Sequence, residues 1–247
     1  MTDQSYIYGI NTILDTLKYD PGLFIEIYMK ENSDNKRFKE IIFLATEKNI
    51  PIRKIPKSKL DKLASTAKNQ GLAALIRHKD KYDSKSAIKY LDSIDNPLVL
   101  ILDGLEDPRN IGACYRTANS SGVDMVVIPK NRVSLDSPVI SKVSSGASEL
   151  TNTAYISNLS SFIKDLKNIG IWICGSSDTA MTNYNEIDFN QPIAIVIGSE
   201  GKGIRHLTEK NCDYLVSIPM RGQVDSLNVS VACGILVYEV LRQRQDI

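Results

Sequence analysis

YLVSIPMRGQVDSLNVSVACGILVYE, the stretch from Tyr214 to Glu239, places a strand, a loop and a helix in succession. Tyr214–Ile218 is short, rich in β-branched residues and followed by Pro219, which predicts a buried strand. The segment from Val229 to Arg242 predicts a long helix that is apolar on most faces and therefore needs cover on several sides. The loop between them leaves the carboxyl end of a strand, where ligands bind in open α/β sheets.

Apolar runs recur at helix-length intervals from Pro97 onward, which extends this pattern through the C-terminal part of the chain. Both faces of each run are apolar, and this is typical of a parallel sheet covered by helices on both faces. We therefore predict an α/β fold with a C-terminal parallel-sheet domain over residues 97–247. The predicted strands are Leu98–Leu102, Met125–Ile128, Ile171–Ile173, Ile193–Ile197 and Tyr214–Ile218.

The first third of the chain alternates short helical and extended patterns, which predicts a small α/β domain over residues 1–77. Residues 78–96 read HKDKYDSKSAIKYLDSIDN, a polar run that we interpret as an interdomain linker. The elements predicted in the first domain are a helix at Asn11–Lys18, a strand at Leu23–Met29, a helix at Lys36–Lys48, a strand at Ile52–Ile55, a helix at Lys57–Ser65 and a strand at Leu72–Ile76.

The charge balance excludes a histone-like mode of binding nucleic acid, because the formal net charge of the 247 residues is only +1. The charge is uneven, however: residues 1–80 contain 14 Lys and Arg against 10 Asp and Glu. Lysines at 54, 57, 59 and 62 suit contacts with phosphates. A solvated helix face explains Lys54, Lys57, Lys59 and Lys62 equally well.

The four cysteines are widely spaced, without a C-x-x-C pair, and only two histidines are present. This pattern disfavours a metal site and predicts reduced, mostly buried thiols. The N-terminus lacks the basic and apolar regions of a signal peptide, and no apolar run approaches the length of a membrane span. We expect a cytoplasmic protein without a metal or a membrane partner.

Two further loops follow predicted strands. Asp103–Arg116 comes after the first strand of the second domain, and Gly198–Gly203 comes after the fourth. The second loop matches neither dinucleotide-binding nor P-loop glycine patterns, and a phosphate would be repelled by the carboxylate of Glu200. Because carboxyl ends of parallel strands meet at one edge, we expect these loops to converge on one crevice with the loop after Ile218.

Single residues in these loops have simple structural interpretations as well. If a helix begins near Ile111, Asn110 is its N-cap, and Arg116 forms a surface ion pair. Either Ser226 or Asn228 caps the last helix. Polar groups at three strand ends together favour an active site over these separate interpretations. Elsewhere, we predict that Trp172 lies in the core and His206 on the surface.

The three loops resemble the three motifs of the SpoU (TrmH-like) family of SPOUT RNA 2′-O-ribose methyltransferases. The matching sequences are DPRNIGACYR, VIGSEGKGI and SIPMRGQVDSLNVSVACGI, in the family's order and after strands. YGINTILDTLK and NQGLAALIR extend the resemblance over essentially the whole chain, and it is greatest with the bacterial 23S rRNA guanosine-2′-O-methyltransferase branch. One departure is Asn69, where branch members often have histidine.

The resemblance implies S-adenosylmethionine as methyl donor, a C-terminal trefoil knot, a homodimer formed through the C-terminal domain, and an N-terminal domain that binds 23S rRNA. It carries over catalytic roles to Asn110, Arg116, Glu200, Ser226 and Asn228. It carries over cofactor binding to Gly175, Gly198, Ile218, Met220 and Leu227.

Two other functions remain open at this point. One is a tRNA ribose 2′-O-methyltransferase, against which the additional N-terminal domain weighs. The other is a non-catalytic RNA-binding factor in ribosome assembly, against which the intact set of motif residues weighs. A serine hydrolase built on Ser226 is disfavoured, since the sequence lacks a G-x-S-x-G elbow.

Overall fold

A computed structural model of the chain describes residues 4–31, 36–77, 81–130 and 138–244. The chain divides into two compact units, with the boundary between residues 79 and 80. The first unit contains β1 (Gln4–Tyr8), α1 (Ile10–Tyr19), β2 (Phe24–Lys30), α2 (Lys36–Glu47), β3 (Ile52–Ile55), α3 (Lys57–Leu63) and β4 (Leu72–Arg77).

The four strands of the first unit form a sheet in the order β1-β4-β2-β3. β4 is antiparallel to both of its neighbours, whereas β2 and β3 are parallel. Alternation along β2 buries Ile27 and Met29, and the helices α1 and α2 contribute the buried Ile13, Leu17 and Ile41. The apolar side chains of the sheet and of its helices are thus buried together in one core. The predicted helices and strands of this unit are confirmed, and β1 is an addition to them.

The loop between α3 and β4 is held by Asn69, the residue that departs from the family pattern. Asn69 is 1% exposed. Its amide donates to Asp61 Oδ1 (2.7 Å) and to the Thr66 carbonyl (2.8 Å), and its Oδ1 accepts from the Gly71 amide (2.9 Å). Here Asn69 therefore has a structural role, with its buried polar atoms satisfied by α3 and by the loop.

The second unit is an α/β structure with a parallel sheet. Its elements are β5 (Lys81–Tyr82), α4 (Ser84–Leu91), β6 (Leu98–Asp103), α5 (Pro108–Ser120), β7 (Met125–Pro129), α6 (Pro138–Ser144), α7 (Ala147–Leu150), β8 (Thr153–Ile156), α8 (Leu159–Asn168), β9 (Trp172–Ser176), β10 (Thr182–Asn183), β11 (Ile193–Gly198), α9 (His206–Glu209), β12 (Tyr214–Ser217) and α10 (Val229–Gln243).

All strand pairs described in this sheet are parallel, in the order β10-β12-β9-β11-β6-β7-β8-β5. β6 and β11 lie side by side at its centre, and every residue of both is buried. Apolar side chains from α5 and α10 cover one face, and those from α4 and α8 cover the other. The predicted parallel sheet with helices on both faces is confirmed, and the sheet also contains β5, β8 and β10.

The predicted linker over residues 78–96 is wrong for most of its described part. β5 pairs with β8, and α4 places Ala87 and Leu91 in the core of the second unit. Asp83 caps α4 by accepting a hydrogen bond from the Ser86 amide, while Ser86 Oγ accepts one from the Asp83 amide. The segment looks polar because only one narrow stripe of a short helix is buried.

Trp172 was predicted to lie in the core, and this prediction is wrong. Its side chain is 43% exposed at the start of β9 and stacks on Tyr214, with ring centroids 5.5 Å apart. His206 is exposed, as predicted, and three of the four cysteines are buried. Among the helices described, none is long and apolar enough to cross a membrane.

Candidate active site

Loops from the carboxyl ends of β9 and β11 and the start of α10 surround a cavity of about 580 Å³. Its walls combine the loop after β9, the turn after β11 and the segment before α10. The lining residues are Ser176, Ser177, Asp178, Thr179, Ile197, Gly198, Ser199, Glu200, Gly201, Lys202, Gly203, Ile204, Glu209, Ser226, Leu227, Asn228, Val229 and Ala232. The cavity therefore lies at the edge where open α/β sheets bind ligands.

Three predicted site residues form a hydrogen-bonded cluster. Glu200 Oε1 accepts from Asn110 Nδ2 (3.1 Å) and from Asn228 Nδ2 (2.6 Å). Asn228 Nδ2 also lies 3.2 Å from Asn110 Oδ1. These residues come from three separate parts of the chain, each of which follows a strand, so the expected convergence is confirmed for Asn110, Glu200 and Asn228. Two amides orient one carboxylate oxygen and leave the exposed cluster open to a ligand.

The helix α5 brings Asn110 to this cluster. Asp107 is its N-cap and accepts a hydrogen bond from the Arg109 amide, while Pro108 occupies the first helical position. Asn110 therefore lies inside the first turn, and the expectation that it caps the helix is wrong. Proline's fixed φ starts the helix earlier and leaves the Asn110 amide free to reach Glu200.

Asn228 is the N-cap of α10, and Ser226 is not. Asn228 Oδ1 accepts from the Ser230 amide (3.0 Å), while its Nδ2 points to Glu200. One side chain thus starts the helix and holds the carboxylate. Ser226 is exposed and lines the cavity two residues upstream.

The turn that carries Glu200 is closed by reciprocal backbone hydrogen bonds between Ser199 and Gly203 (3.0 and 2.9 Å). It folds back so tightly that a Cβ on Gly198 would overlap the backbone of Gly203 and Ile204. Gly201 and Gly203 both have positive φ, which L-residues with a side chain rarely adopt. These three glycines explain why the glycine-rich sequence forms a tight turn without being a phosphate loop.

Arg116 is not part of the cluster. It lies on the exposed side of α5, six residues beyond Asn110, and in the described part of the chain no hydrogen bond or ion pair engages it. The surface ion pair expected for Arg116 is thus absent from the described residues. Its guanidinium is exposed to an external ligand.

The residues proposed for cofactor binding fall into two groups. Gly198 and Leu227 line the cavity, whereas Gly175, Ile218 and Met220 are not among its lining residues. Gly175 is buried, and a Cβ there would lie 2.8 Å from Cys212 Sγ. Ile218 and Met220 are half-buried in the loop that leads to the cavity.

Sequence reasoning missed two parts of the site. The first is the loop Ser176–Thr179, although it follows the apolar run Ile171–Ile173 and the strand-end rule applies to it as well. The second is the contact of Asp103 with Arg205 at the base of the site.

Thiol chemistry has no basis in the site as described. Burial raises the pKa of Cys174 and of Cys212 to about 12, so both remain protonated at neutral pH. No group of three or more metal-ligating side chains occurs among the described residues.

Comparisons with known proteins match this architecture over the whole chain. Residues 97–238 match the SpoU rRNA Methylase family, and residues 6–82 match the RNA 2′-O ribose methyltransferase substrate binding family. The chain is 42% identical over 240 residues to the 23S rRNA (guanosine-2′-O-)-methyltransferase RlmB of Coxiella burnetii, covering 97% of this chain and 96% of the relative.

Solved structures share the fold. A crystal structure of an RNA 2′-O ribose methyltransferase has a TM-score of 0.75 at 27% identity, covering 99% of this chain and 90% of the other. The SpoU methyltransferase AviRb from Streptomyces viridochromogenes, solved with the cofactor AdoMet, has a TM-score of 0.74 at 20% identity, covering 99% and 92%. With its three motifs at the strand ends and a family match over more than half of its length, the chain belongs to the SpoU rRNA methylase family.

Proposed function

We propose that the protein transfers a methyl group from S-adenosylmethionine to the ribose 2′-OH of a guanosine in 23S rRNA. The observation that carries this proposal is the Asn110–Glu200–Asn228 cluster at the mouth of the cavity. The activity named for the Coxiella burnetii relative, which matches 97% of this chain, supports both the reaction and the substrate. As part of the same proposal, we expect the protein to act in the cytoplasm.

The cavity fits the proposed methyl donor. Its volume of about 580 Å³ is within the range of small-molecule sites. Gly198 exposes the backbone at the end of a strand, and Leu227 provides an apolar contact. Both features suit an adenosyl group better than a phosphate. In this proposal Ile218 and Met220, which do not line the cavity, contact the cofactor from the loop before α10, and the buried Gly175 lies beside Cys212. When bound, S-adenosylmethionine supplies an electrophilic methyl group.

The remaining task of the protein is to position the 2′-hydroxyl and assist loss of its proton. Arg116 binds the target phosphate or the developing 2′-alkoxide through its exposed guanidinium, since a guanidinium in proteins donates hydrogen bonds and does not serve as a base. Asn110 and Glu200 orient the attacking group through their hydrogen bond. Ser226 and Asn228 fix the loop and the substrate beside them.

Labelled methyl transfer from S-adenosylmethionine to 23S rRNA, 16S rRNA and tRNA, measured in parallel, tests this function. We expect label on 23S rRNA alone, at a guanosine ribose, and its loss in Arg116→Ala. Label on tRNA alone would contradict the substrate and favour the tRNA alternative. Cofactor binding without transfer to any RNA would favour a role in ribosome assembly instead.

The domain roles follow the same reasoning. We assign RNA binding to residues 1–77 and methyl transfer to residues 97–247, with β5 and α4 added to the latter. The match of residues 6–82 to a substrate-binding family supports this division. Methyl transfer by a chain lacking the first domain is expected to need far higher RNA concentrations.

We also propose a trefoil knot and a homodimer, both through the C-terminal domain. β12 joins β9, and α10 then returns past them to pack with β11 and α5; an experimental trace of residues 193–243 would decide whether the path is knotted. α10 leaves Val231 and Tyr238 exposed and Ile235 half-buried on one side, an apolar surface suited to a second copy.

A further inference from the structure

We propose that five lysines of β3, α3 and the following loop bind the phosphate backbone of the substrate RNA. This surface, the β3–α3 basic surface, consists of Lys54, Lys57, Lys59, Lys62 and Lys68. The inference deepens the proposed function, since it rests on an RNA substrate and specifies which part of the first domain contacts it.

All five side chains of the β3–α3 basic surface are exposed. Within the described ranges, none of their ammonium groups forms a hydrogen bond or an ion pair. Two other basic residues of the same unit are engaged: Lys18 pairs with Glu40 at 2.9 Å, and Arg53 pairs with Glu26 at 2.9 Å. The five lysines are thus available to an external anion.

The charge of this region is strongly one-sided. Residues 51–71 contain six basic side chains and one acidic side chain, Asp61. The carboxylate of Asp61 accepts a hydrogen bond from the Asn69 amide (2.7 Å) and is therefore turned into the loop. A cluster of one sign raises the local concentration of oppositely charged ligands, so a polyanion is the fitting partner.

Buried apolar residues hold the backbone segments that carry these lysines in place. Leu60 is fully buried under α3, and Ile55 anchors the end of β3. Asn69 fixes the loop that carries Lys68, whose amide also donates to Thr66 Oγ1 (3.2 Å). Lysine ammonium groups act as point charges and contact phosphates without choosing bases. The surface therefore contributes affinity and leaves the choice of nucleotide to the methyltransferase domain.

The test compares two triple variants of the full chain in binding to a 23S rRNA transcript at several salt concentrations. One carries Lys57→Gln, Lys59→Gln and Lys62→Gln in the β3–α3 basic surface. The matched control carries Lys36→Gln, Lys39→Gln and Lys48→Gln, three exposed residues of α2 and its end. The first variant should reduce the slope of log K against log salt by roughly 2 to 3, because each phosphate contact contributes about 0.7 to 0.9.

An unchanged slope in the first variant, or an equal reduction of the slope in the control variant, would overturn the proposal that this surface binds RNA. The result is independent of catalysis. If the wild-type chain methylates no 23S rRNA but the slope still falls only in the first variant, the proposed function fails and the binding surface stands.

A second inference comes from the base of the active site. Asp103 ends β6 and is 0% exposed. Its carboxylate accepts a hydrogen bond from the Arg205 amide (3.1 Å) and forms an ion pair with the Arg205 guanidinium. Asp103 leads into the loop before Asn110, and Arg205 follows the turn that carries Glu200. The pair therefore links the same two segments that the Asn110–Glu200 hydrogen bond links.

We infer that Asp103 and Arg205 are positioning residues for Glu200. The Asn110–Glu200 hydrogen bond is exposed, and by itself it is a weak restraint on two loops. The Asp103–Arg205 ion pair is the stronger restraint on the two segments. Moving Arg205 away would leave the buried carboxylate of Asp103 charged and unpaired, which is energetically costly. The role rests on the proposed methyl transfer, and the carboxylate acts through Glu200 without touching the substrate.

Asp213, which is more exposed than Asp103, provides a control at the opposite edge of the same sheet. Its carboxylate also accepts from a backbone amide, that of Ile173 (2.9 Å), and from a cation, Lys167 Nζ (2.8 Å). Asp103→Asn and Asp213→Asn therefore remove the same kind of interaction near and far from the cavity.

Two measurements test the positioning role. Hydrogen exchange of the Ser199 and Gly203 amides, which close the Glu200 turn, should accelerate in Asp103→Asn only. The kcat of Asp103→Asn should fall roughly 10- to 100-fold with KM for RNA changed little, as expected for misplacement of a catalytic group. Equal kcat losses in both variants, or unchanged amide exchange, would overturn the role. The exchange result stands even if the RNA substrate differs from the one proposed.

Discussion

Asn228 connects stability and chemistry at the level of a single side chain. Its Oδ1 caps α10 through the Ser230 amide, and its Nδ2 donates to Glu200. Serine is as good an N-cap as asparagine but cannot donate an amide N–H to a carboxylate at the same distance. The two roles can therefore be separated by the choice of substitution.

Asn228→Ala should lose both the helix cap and the hydrogen bond to Glu200, whereas Asn228→Ser should lose only the hydrogen bond to Glu200. We expect Ala to reduce the free energy of unfolding by about 1 kcal/mol and Ser to leave it nearly unchanged. Both variants should lower methyl transfer about tenfold or more, because Glu200 loses its shortest hydrogen bond. Urea unfolding and initial rates measure the two effects. Full activity in the Ser variant would show that the amide is only a cap.

The sequence predicts the convergence of Asn110, Glu200 and Asn228, because polar groups after parallel strands meet at one edge. It does not predict where each side chain points. The helix of Asn110 starts three residues earlier than expected, since the capping of α5 depends on Asp107 and Pro108. A single acidic residue at the end of a strand, such as Asp103, carries no signal of its partner 102 residues away.

At the level of elements, α10 ends in a local network. Glu239 is 8% exposed and accepts hydrogen bonds from Arg242 and Gln243, and mainly the Arg242 bond lowers its pKa. A carboxylate with a lowered folded-state pKa contributes stability above its unfolded pKa and loses it as pH falls through the folded value. Asp124 has the opposite shift, because burial raises its pKa.

Opposite pH dependences should therefore follow from Glu239→Gln and Asp124→Asn. Between pH 3 and pH 7, Glu239→Gln should become progressively less stable than the wild type, by roughly 0.5 kcal/mol at neutral pH for a partly exposed pair. Asp124→Asn should gain stability relative to the wild type over the same rise. Urea unfolding at several pH values measures both, and slopes of the same sign would contradict the assignment.

The elements that the sequence predicts best are those with continuous apolar runs. The buried strands β6 and β11 extend their predicted bounds by one residue. Ile52–Ile55, which is not a continuous apolar run, is also found with its predicted bounds. β8 is only four residues long, and β5 and β10 are two-residue strands. Such segments acquire their conformation from pairing with neighbours, so periodicity within the segment cannot reveal them.

On the scale of the whole molecule, the proposed homodimer depends on the apolar side of α10. Val231→Arg should convert a dimer to a monomer in sedimentation analysis, because a charge would be buried without a partner at the interface. Met181→Arg is the matched control, since Met181 is also apolar and fully exposed but lies outside α10. A wild-type monomer, or dissociation by both variants, would contradict an interface on α10.

The tight turn after β11 also has a genetic consequence. Every single-base missense change of a glycine codon introduces a residue with a Cβ, and at Gly198 that atom would overlap the backbone of Gly203 and Ile204. No single-base missense change of the Gly198 codon is therefore sterically neutral. At Gly222, where a Cβ would meet nothing within 4 Å, the same changes are sterically open. Substitutions are therefore expected to be tolerated at Gly222 and to be absent at Gly198, at the end of β11.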